Sequence, residues 1–334
     1  MQRRRMAWGA VARLRPSHSR VISVLLTGTL VLGMAAACFL VMEIGQAVLR
    51  ALPALPLGIA VHTLQLAAAA MAWRCLFHAP RPGVWSMLRA RWIRESLNGL
   101  LPLVGIGGGV LAGLAIARQT DRPFAGVAAG ATVDLLIESV TELPFLLVGL
   151  AVFALVAPGT LSLSHLGALV LPLALATALA VSIRLGVGRE TALRLLRRIG
   201  FDGALRSLCK SLAVVNSGTG PIAQAAAWHL LAWTLGAAEV WAILAVLGTP
   251  VSLAEAYVIE SLGMAARSLG FVLPAGLGAQ EAGLAAVGVA LGVPLQEAIA
   301  MAMLKRLREV LMNVPGLIAW QRTERRAATA SGGY

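Results

Sequence analysis

Residues 124–157 read FAGVAAGATVDLLIESVTELPFLLVGLAVFALVA, an apolar run whose only charges are Asp134, Glu138 and Glu142. A helix needs about 20 such residues to cross roughly 30 Å of hydrocarbon, and this run exceeds that length. It is continuous Leu/Ala/Val/Gly sequence rather than short alternating segments, which excludes an outer-membrane barrel. Similar runs recur from Val21 to Trp320. The whole chain of 334 residues agrees, with 58% hydrophobic and 13% charged residues and a mean hydropathy of +0.81. A soluble domain carries about 25% charged residues, so too little polar sequence is present to cover a water-facing surface. The sequence predicts an all-α polytopic integral membrane protein.

Working outward from that run gives the organisation. Residues 1–20 are a basic tail and 21–43 a first span; Glu43 to Pro56, with two prolines, predicts a short outer turn; residues 57–78 return. Arg81 to Arg94, interleaved with Trp85, Leu88 and Trp92, reads as an amphipathic segment on the inner surface. Residues 163–184, 222–248 and 295–320 are further spans, about six in all, and 186–215 is a second basic amphipathic stretch. Two segments, 95–118 and 256–292, are apolar but broken by Pro and Gly. The membrane part thus divides into halves 21–185 and 216–320, followed by a tail at 321–334.

The net charge of +13 is carried almost wholly by arginine, with Lys210 and Lys305 the only lysines. Most basic residues cluster between apolar spans, the positive-inside pattern of cytoplasmic loops, so nucleic acid is not expected as a partner. The predicted location is the bacterial inner membrane, with both termini cytoplasmic. Cys38, Cys75 and Cys209 are far apart and form no disulfide or metal-ligand spacing. Ala35-Ala36-Ala37-Cys38 resembles a signal-peptidase site, but the apolar run continues to Met42 and reads as mid-helix. The five histidines, His18, His62, His78, His165 and His229, are scattered, and interfacial or packing roles are expected for each. No nucleophile, metalloprotease or nucleotide-binding motif occurs, so neither enzymatic activity nor a metal or cofactor is expected.

An internal repeat organises the rest. An offset of 171 residues carries Gly105 onto Gly276, Gly107 onto Gly278, Pro123 onto Pro294, Glu138 onto Glu309 and Pro144 onto Pro315. Pro102 and Pro274 match with one gap, and Glu-Ser-Leu precedes both copies, at Glu95 and Glu260. The turn after the broken segment carries Arg118 and Arg122 in the first copy and no base in the second, whereas after the next helix the sense reverses. Matching ends therefore lie on opposite sides, an inverted-topology repeat with two re-entrant hairpins. Paired broken segments of this kind point to a transporter's site. The same glycines, Gly107, Gly108, Gly276 and Gly278 among them, also suit close helix packing.

Ionisable groups at membrane depth are costly and usually face the bundle interior or a cavity. Asp134, Glu138 and Glu142 recur every four residues and form one acidic stripe. The repeat partner carries Lys305, Arg306, Arg308 and Glu309; Glu281 and Gln280 follow Gly278, and Arg267 and Glu260 lie on the second hairpin's first arm. One reading is a polar cavity in which Asp134 and Glu138 face Lys305, Arg306 and Arg308, with Glu281 at the hairpin tip, holding a charged lipid headgroup or relaying protons. The other is an ion-pair network joining the halves. Glu142 and Arg308 are placed near enough to an interface to snorkel.

At Leu273-Pro-Ala-Gly-Leu-Gly-Ala-Gln-Glu281, then Leu291-Gly-Val-Pro294, then Arg306, the chain resembles the lysylphosphatidylglycerol-synthase transmembrane (flippase-domain) superfamily, most nearly its hopanoid-biosynthesis-associated membrane proteins. Asn98, Leu101-Pro102, the Gly107-Gly108 pair, Val133-Asp134 and Glu138 before Gly149-Leu150 fit the first half. The family's usual acid after the Gly-Gly pair is missing, replaced by Gly109 and Val110. The aminoacyl-transferase domain of the full synthases is expected to be absent, since about a dozen residues follow the last span. The resemblance implies a lipid-handling membrane protein, not the aminoacylating enzyme, and the leading expectation is a flippase-like transporter acting on a hopanoid, a phospholipid or a lipid-linked precursor. Glu281, Arg306, Asp134, Glu138, Lys305, Glu309 and Arg308 would serve as headgroup ligands. The alternative expectation is a scaffold that docks lipid-biosynthesis enzymes through its basic segments.

Overall fold

The computed structural model describes residues 42–100, 124–158, 218–269 and 278–331. These form eight α-helices and one 3-10 turn: α1 Met42–Ala51, the turn Leu52–Ala54, α2 Leu55–Cys75, α3 Val84–Leu100, α4 Phe124–Val156, α5 Thr219–Val246, α6 Leu253–Leu269, α7 Ala279–Ala290 and α8 Leu295–Ser331. Three helical stretches, Ile44–Cys75, Gly126–Val156 and Thr219–Val246, are long and apolar enough to cross a membrane. The expected first span, the span at 163–184, the segment 186–215 and most of the first hairpin, with Pro102, Gly107 and Gly108, lie outside the described residues. So do Pro274 and Gly276.

The outer turn expected at Glu43 to Pro56 is instead helical. Pro53 and Pro56 each occupy a first-turn position of a new helical segment, where a missing N–H breaks no hydrogen bond. The chain therefore continues from α1 through the 3-10 turn into α2 as one helical path. Inside α4 and α8, Pro144 and Pro315 are absorbed without ending the helix, as membrane helices allow. Nor does α8 stop near residue 320: it runs on to Ser331.

The two arms of the second broken segment pack on each other. A Cβ on Gly263 would run into Leu284, and one on Gly283 into Ala266. With 12 residues α7 is about 18 Å long, short of the roughly 30 Å hydrocarbon layer. Its start is fixed by Gly278, whose φ of +82° is left-handed and whose N–H donates to Glu281 Oε2 at 2.8 Å. At α6, Ser252 and Glu255 form a reciprocal capping box, each bonding the other's backbone N–H at 3.2 and 2.7 Å.

Between the halves the contacts are reciprocal. Trp92 Nε1 of α3 donates to the Met312 carbonyl of α8 at 2.8 Å, and Tyr257 Oη of α6 donates to the Phe145 carbonyl of α4 at 3.3 Å. One turn further on, a Cβ on Gly316 would collide with Ser96 Oγ of α3, and one on Gly149 with Ser261 Oγ of α6. An offset of 165 residues carries α3 onto α6, and 167 carries α4 onto α8, through both pairs of contacts. These small-residue approaches let helix backbones come close, the usual packing device in lipid. Apolar clusters seat the bundle around them: Trp73, Met87, Ile93, Leu97 and Leu317 on one side, Leu146, Leu150, Phe153, Val258 and Leu262 on the other.

Candidate functional site

The ionisable residues gather into three separate networks inside the bundle. The first hangs on the acidic stripe of α4. Asp134 is fully buried and accepts from Arg94 Nη1 at 2.5 Å, Arg91 Nη1 at 3.3 Å and His229 Nε2 at 3.0 Å. Glu138 accepts from Arg91 at 2.6 and 3.0 Å and from Arg94 at 2.9 Å. Glu95, one turn along α3, takes a second contact to Arg91 at 3.3 Å. Arg94 also lies 5.9 Å from the ring centre of Trp73, a cation–π contact in a site shielded from water.

This geometry overturns two expectations. Asp134 and Glu138 take their cations from Arg91 and Arg94, not from Lys305, Arg306 or Arg308. Correspondingly, Arg81 to Arg94 is not one surface helix. Trp85 is 81% exposed, but Arg91 and Arg94 are only 5% and 2% exposed. The segment leaves the surface partway along α3, because two guanidiniums three residues apart project onto one face and find two carboxylates there. Ion pairing fixes their direction more strongly than the amphipathic pattern does.

The second network joins α8 to α5 and α6. Glu239 accepts from Arg308 Nε and Nη2 at 2.8 and 2.7 Å, a two-pronged pair, and from Lys305 Nζ at 3.2 Å. Lys305 also donates to Glu260 at 2.7 Å. Under the offset of 167 residues Lys305 is the counterpart of Glu138, so equivalent places in the two halves carry opposite charge. Arg308 is buried, not at an interface. Nor is Glu142: it is 7% exposed and accepts from Ser268 Oγ at 2.5 Å.

The third network sits beside the second hairpin. Glu281 bonds Arg306 Nε, and Arg306 Nη1 donates to Glu309 at 2.8 Å. Arg267 reaches Glu309 at 3.4 Å and Gln280 at 3.2 Å. Among the described residues the first network leaves Arg91 Nε buried without a hydrogen-bond partner, and the third leaves more such atoms. Arg306 Nη2 is buried without a hydrogen-bond partner among the described residues, as are both amide atoms of Asn313 and, on α3, Oδ1 of Asn98. Arg306, Glu309 and Asn313 share one face of α8, and that face abuts Gly99 of α3: a Cβ there would meet Asn313 Nδ2 and Glu309 Oε1.

Seven expected ligands are thus all inside the bundle, but in separate groups: Asp134 and Glu138; Lys305 and Arg308; Glu281, Arg306 and Glu309. Sequence reasoning passed over Arg91, Arg94, Glu239, His229 and Asn313. Glu239 had a usable signal, since it is the lone acid in the apolar helix Thr219–Val246. Asp134, Glu138 and His229 also have the spacing of a metal-ligand set, each offering an atom within 4.8 Å of the others. However, their oxygens already accept from two guanidiniums and an imidazole. A divalent cation would have to displace those bonds beside two fixed positive charges, so the donor set does not favour one.

Buried pairs of this kind gain little net stability but lose much when one partner is removed. Their arrangement can hold the helices in register, and the third network can in addition offer a guanidinium and an amide to an incoming polar group. No curated protein and no solved structure matches the chain. The model of one family, described as the lysylphosphatidylglycerol synthase TM region, matches residues 20–316. The chain belongs to that family and is a membrane protein of lipid metabolism.

Proposed function

We propose that the protein is a lipid transporter of the flippase type that binds a charged lipid headgroup in a midplane cavity. The observation that carries this reading is the set of buried polar atoms at Arg306 and Asn313 that have no partner among the described residues, with Asn98 beside the Gly99 that this face abuts. Buried polar groups are almost always hydrogen-bonded, and inside a membrane the polar partners at hand are water and lipid headgroups. Arg306 would meet a headgroup phosphate, the Asn313 amide its esters or hydroxyls, and Glu281 and Glu309 would hold the guanidinium in place. Lys305 and Arg308, with Asp134 and Glu138, would keep the two halves in register around that site.

The reciprocal contacts of α3 with α8 and α6 with α4 support an inverted repeat, in which the paired broken segments act as gates. The lipid is a hopanoid, a phospholipid or a lipid-linked precursor, in the inner membrane of a bacterium, with both termini cytoplasmic. The scaffold reading draws less support, because Arg91 and Arg94 are turned inward and unavailable to partner enzymes. Liposomes containing the purified protein are expected to move fluorescent lipid between leaflets, and Glu281→Ala with Arg306→Ala to abolish the movement. Undiminished movement in that double variant, with the fold intact by thermal unfolding, refutes the site.

A further inference from the structure

One buried acid stands apart from the three networks. Asp134, Glu138, Glu239, Glu260, Glu281 and Glu309 each accept from at least one Lys or Arg. Glu142 does not: among the described residues its hydrogen-bond partner is the Ser268 hydroxyl. A carboxylate without a counter-ion is very costly in an apolar interior and holds a proton instead. Ser268 lies two residues before the described part of α6 gives way to 270–277, a stretch that contains no Lys or Arg. Glu142 is therefore lodged where α4 meets the root of the second hairpin's break.

We propose that Glu142 is a proton-carrying site that couples proton movement to lipid movement through Arg267. The charged groups placed nearest Glu142 are Glu138, one turn away on its own helix, and Arg267, the chain neighbour of the Ser268 that bonds it. Glu138 is held by Arg91 and Arg94. On α5, His229 is engaged with Asp134, and α5 meets the stripe next to Glu142 through Trp233 and Thr141. Arg267 is only partly engaged among the described residues, with its side chain 26% exposed and long contacts to Glu309 and Gln280.

The coupling follows from that single shared cation. When Glu142 is protonated, Arg267 rests on Glu309 and Gln280 and completes the third network. When Glu142 gives its proton to water on one side, the new carboxylate competes for Arg267 and draws it from Glu309. Glu309 and Arg306 then face the headgroup with altered charge, so proton release and headgroup release are linked. Reprotonation from the other side, by transfer of one proton from water to the carboxylate oxygen, resets the cycle. This inference rests on the lipid-transport reading for its cargo, but the proton site itself does not.

The test uses dicyclohexylcarbodiimide, which reacts with protonated carboxyls in apolar surroundings, on the full-length protein in liposomes. Peptide mapping by mass spectrometry is expected to find the adduct at Glu142, at least about tenfold above any paired acid. Its rate is expected to fall about tenfold per pH unit once the carboxyl ionises. Glu142→Gln removes the adduct. No adduct at Glu142 at any pH, or equal labelling of Asp134, Glu138 and Glu281, overturns the proposal, and wild-type mapping suffices for that result should the variant not assemble. In the lipid assay, a pH gradient is expected to change the wild-type rate and leave Glu142→Gln unaffected. Lipid movement that ignores the gradient in the wild type overturns the coupling and leaves transport standing. A Glu142 adduct without lipid movement upholds the proton site and overturns transport.

Discussion

Glu239→Gln is the substitution that the geometry constrains most tightly. In the wild type, Glu239 neutralises Arg308 through two bonds of 2.8 and 2.7 Å and shares Lys305 with Glu260. The amide keeps the shape but removes the charge. Lys305 still has Glu260, whereas Arg308, buried on all sides, loses its only carboxylate among the described residues. Removing one partner of such a pair costs about 3–5 kcal/mol, because the other charge stays desolvated. At roughly 2–4 °C per kcal/mol for chains of this scale, the melting temperature falls by on the order of ten degrees. Glu260→Gln costs less, since Lys305 retains Glu239, and adding Arg308→Leu to Glu239→Gln recovers a large part of the loss. The assay is thermal unfolding in detergent, followed by intrinsic Trp fluorescence and repeated for the single and double variants. The reasoning fails if Glu239→Gln melts within about two degrees of the wild type, or if Arg308→Leu deepens the loss.

Four further outcomes are expected. Gly149→Ala and Gly316→Ala each drive a methyl into a serine hydroxyl on the facing helix, costing about 1–3 kcal/mol. Ser261→Gly and Ser96→Gly respectively relieve the clash, as paired melting curves would reveal. Arg94→Leu leaves the fully buried Asp134 with a weaker cation at 3.3 Å and costs about 3–5 kcal/mol, whereas neutralising exposed Arg50 changes stability by under about 1 kcal/mol. Asn313→Leu removes two orphaned polar atoms and so leaves stability unchanged or raised by about 1–3 kcal/mol, while lipid co-purifying with the protein, measured by mass spectrometry, decreases. Gly278→Ala places a side chain at φ +82°, costing about 1–3 kcal/mol by the same unfolding assay.

Fold class was open to sequence reasoning because a membrane helix declares itself by length and apolarity alone, as residues 124–157 do. Pairing was harder. The stripe Asp134, Glu138, Glu142 could be read from its period of four, yet its partners come from α3, α5 and α6, which no local pattern links to it. Arg91 and Arg94 were obscured by Arg81, Arg89 and Trp85, whose alternation with apolar residues mimics a surface helix. The shared flanks, Glu-Ser-Leu at Glu95 and Glu260, could be read from the sequence, and their serines, Ser96 and Ser261, do occupy equivalent contacts. The matched prolines gave an offset of 171, though, while contacts between the halves follow 167 for α4 and α8, one helical turn away. Prolines in membrane helices are tolerated at several positions, so they track register less faithfully than the Trp92 and Tyr257 side chains that bond across the interface. Pro53 and Pro56 misled in the same way: proline is as much at home in a helix's first turn as in a loop.

The charged face of α8 has a consequence for how the chain is made. Lys305, Arg306 and Arg308 would each disfavour entry of an isolated helix into lipid by about 2.5–3.5 kcal/mol, and α8 is not among the stretches apolar enough to cross a membrane unaided. Apart from Glu309 in α8 itself, their acidic partners Glu239, Glu260 and Glu281 precede α8 in the sequence and so leave the ribosome first. The helices that carry those acids are thus made before the bases that pair with them, and entry of α8 into lipid is favoured only once they are there to receive it. α8 thus depends on the earlier helices for its place in the membrane, and a chain arrested before residue 305 is expected to leave Glu239, Glu260 and Glu281 without the bases that α8 brings.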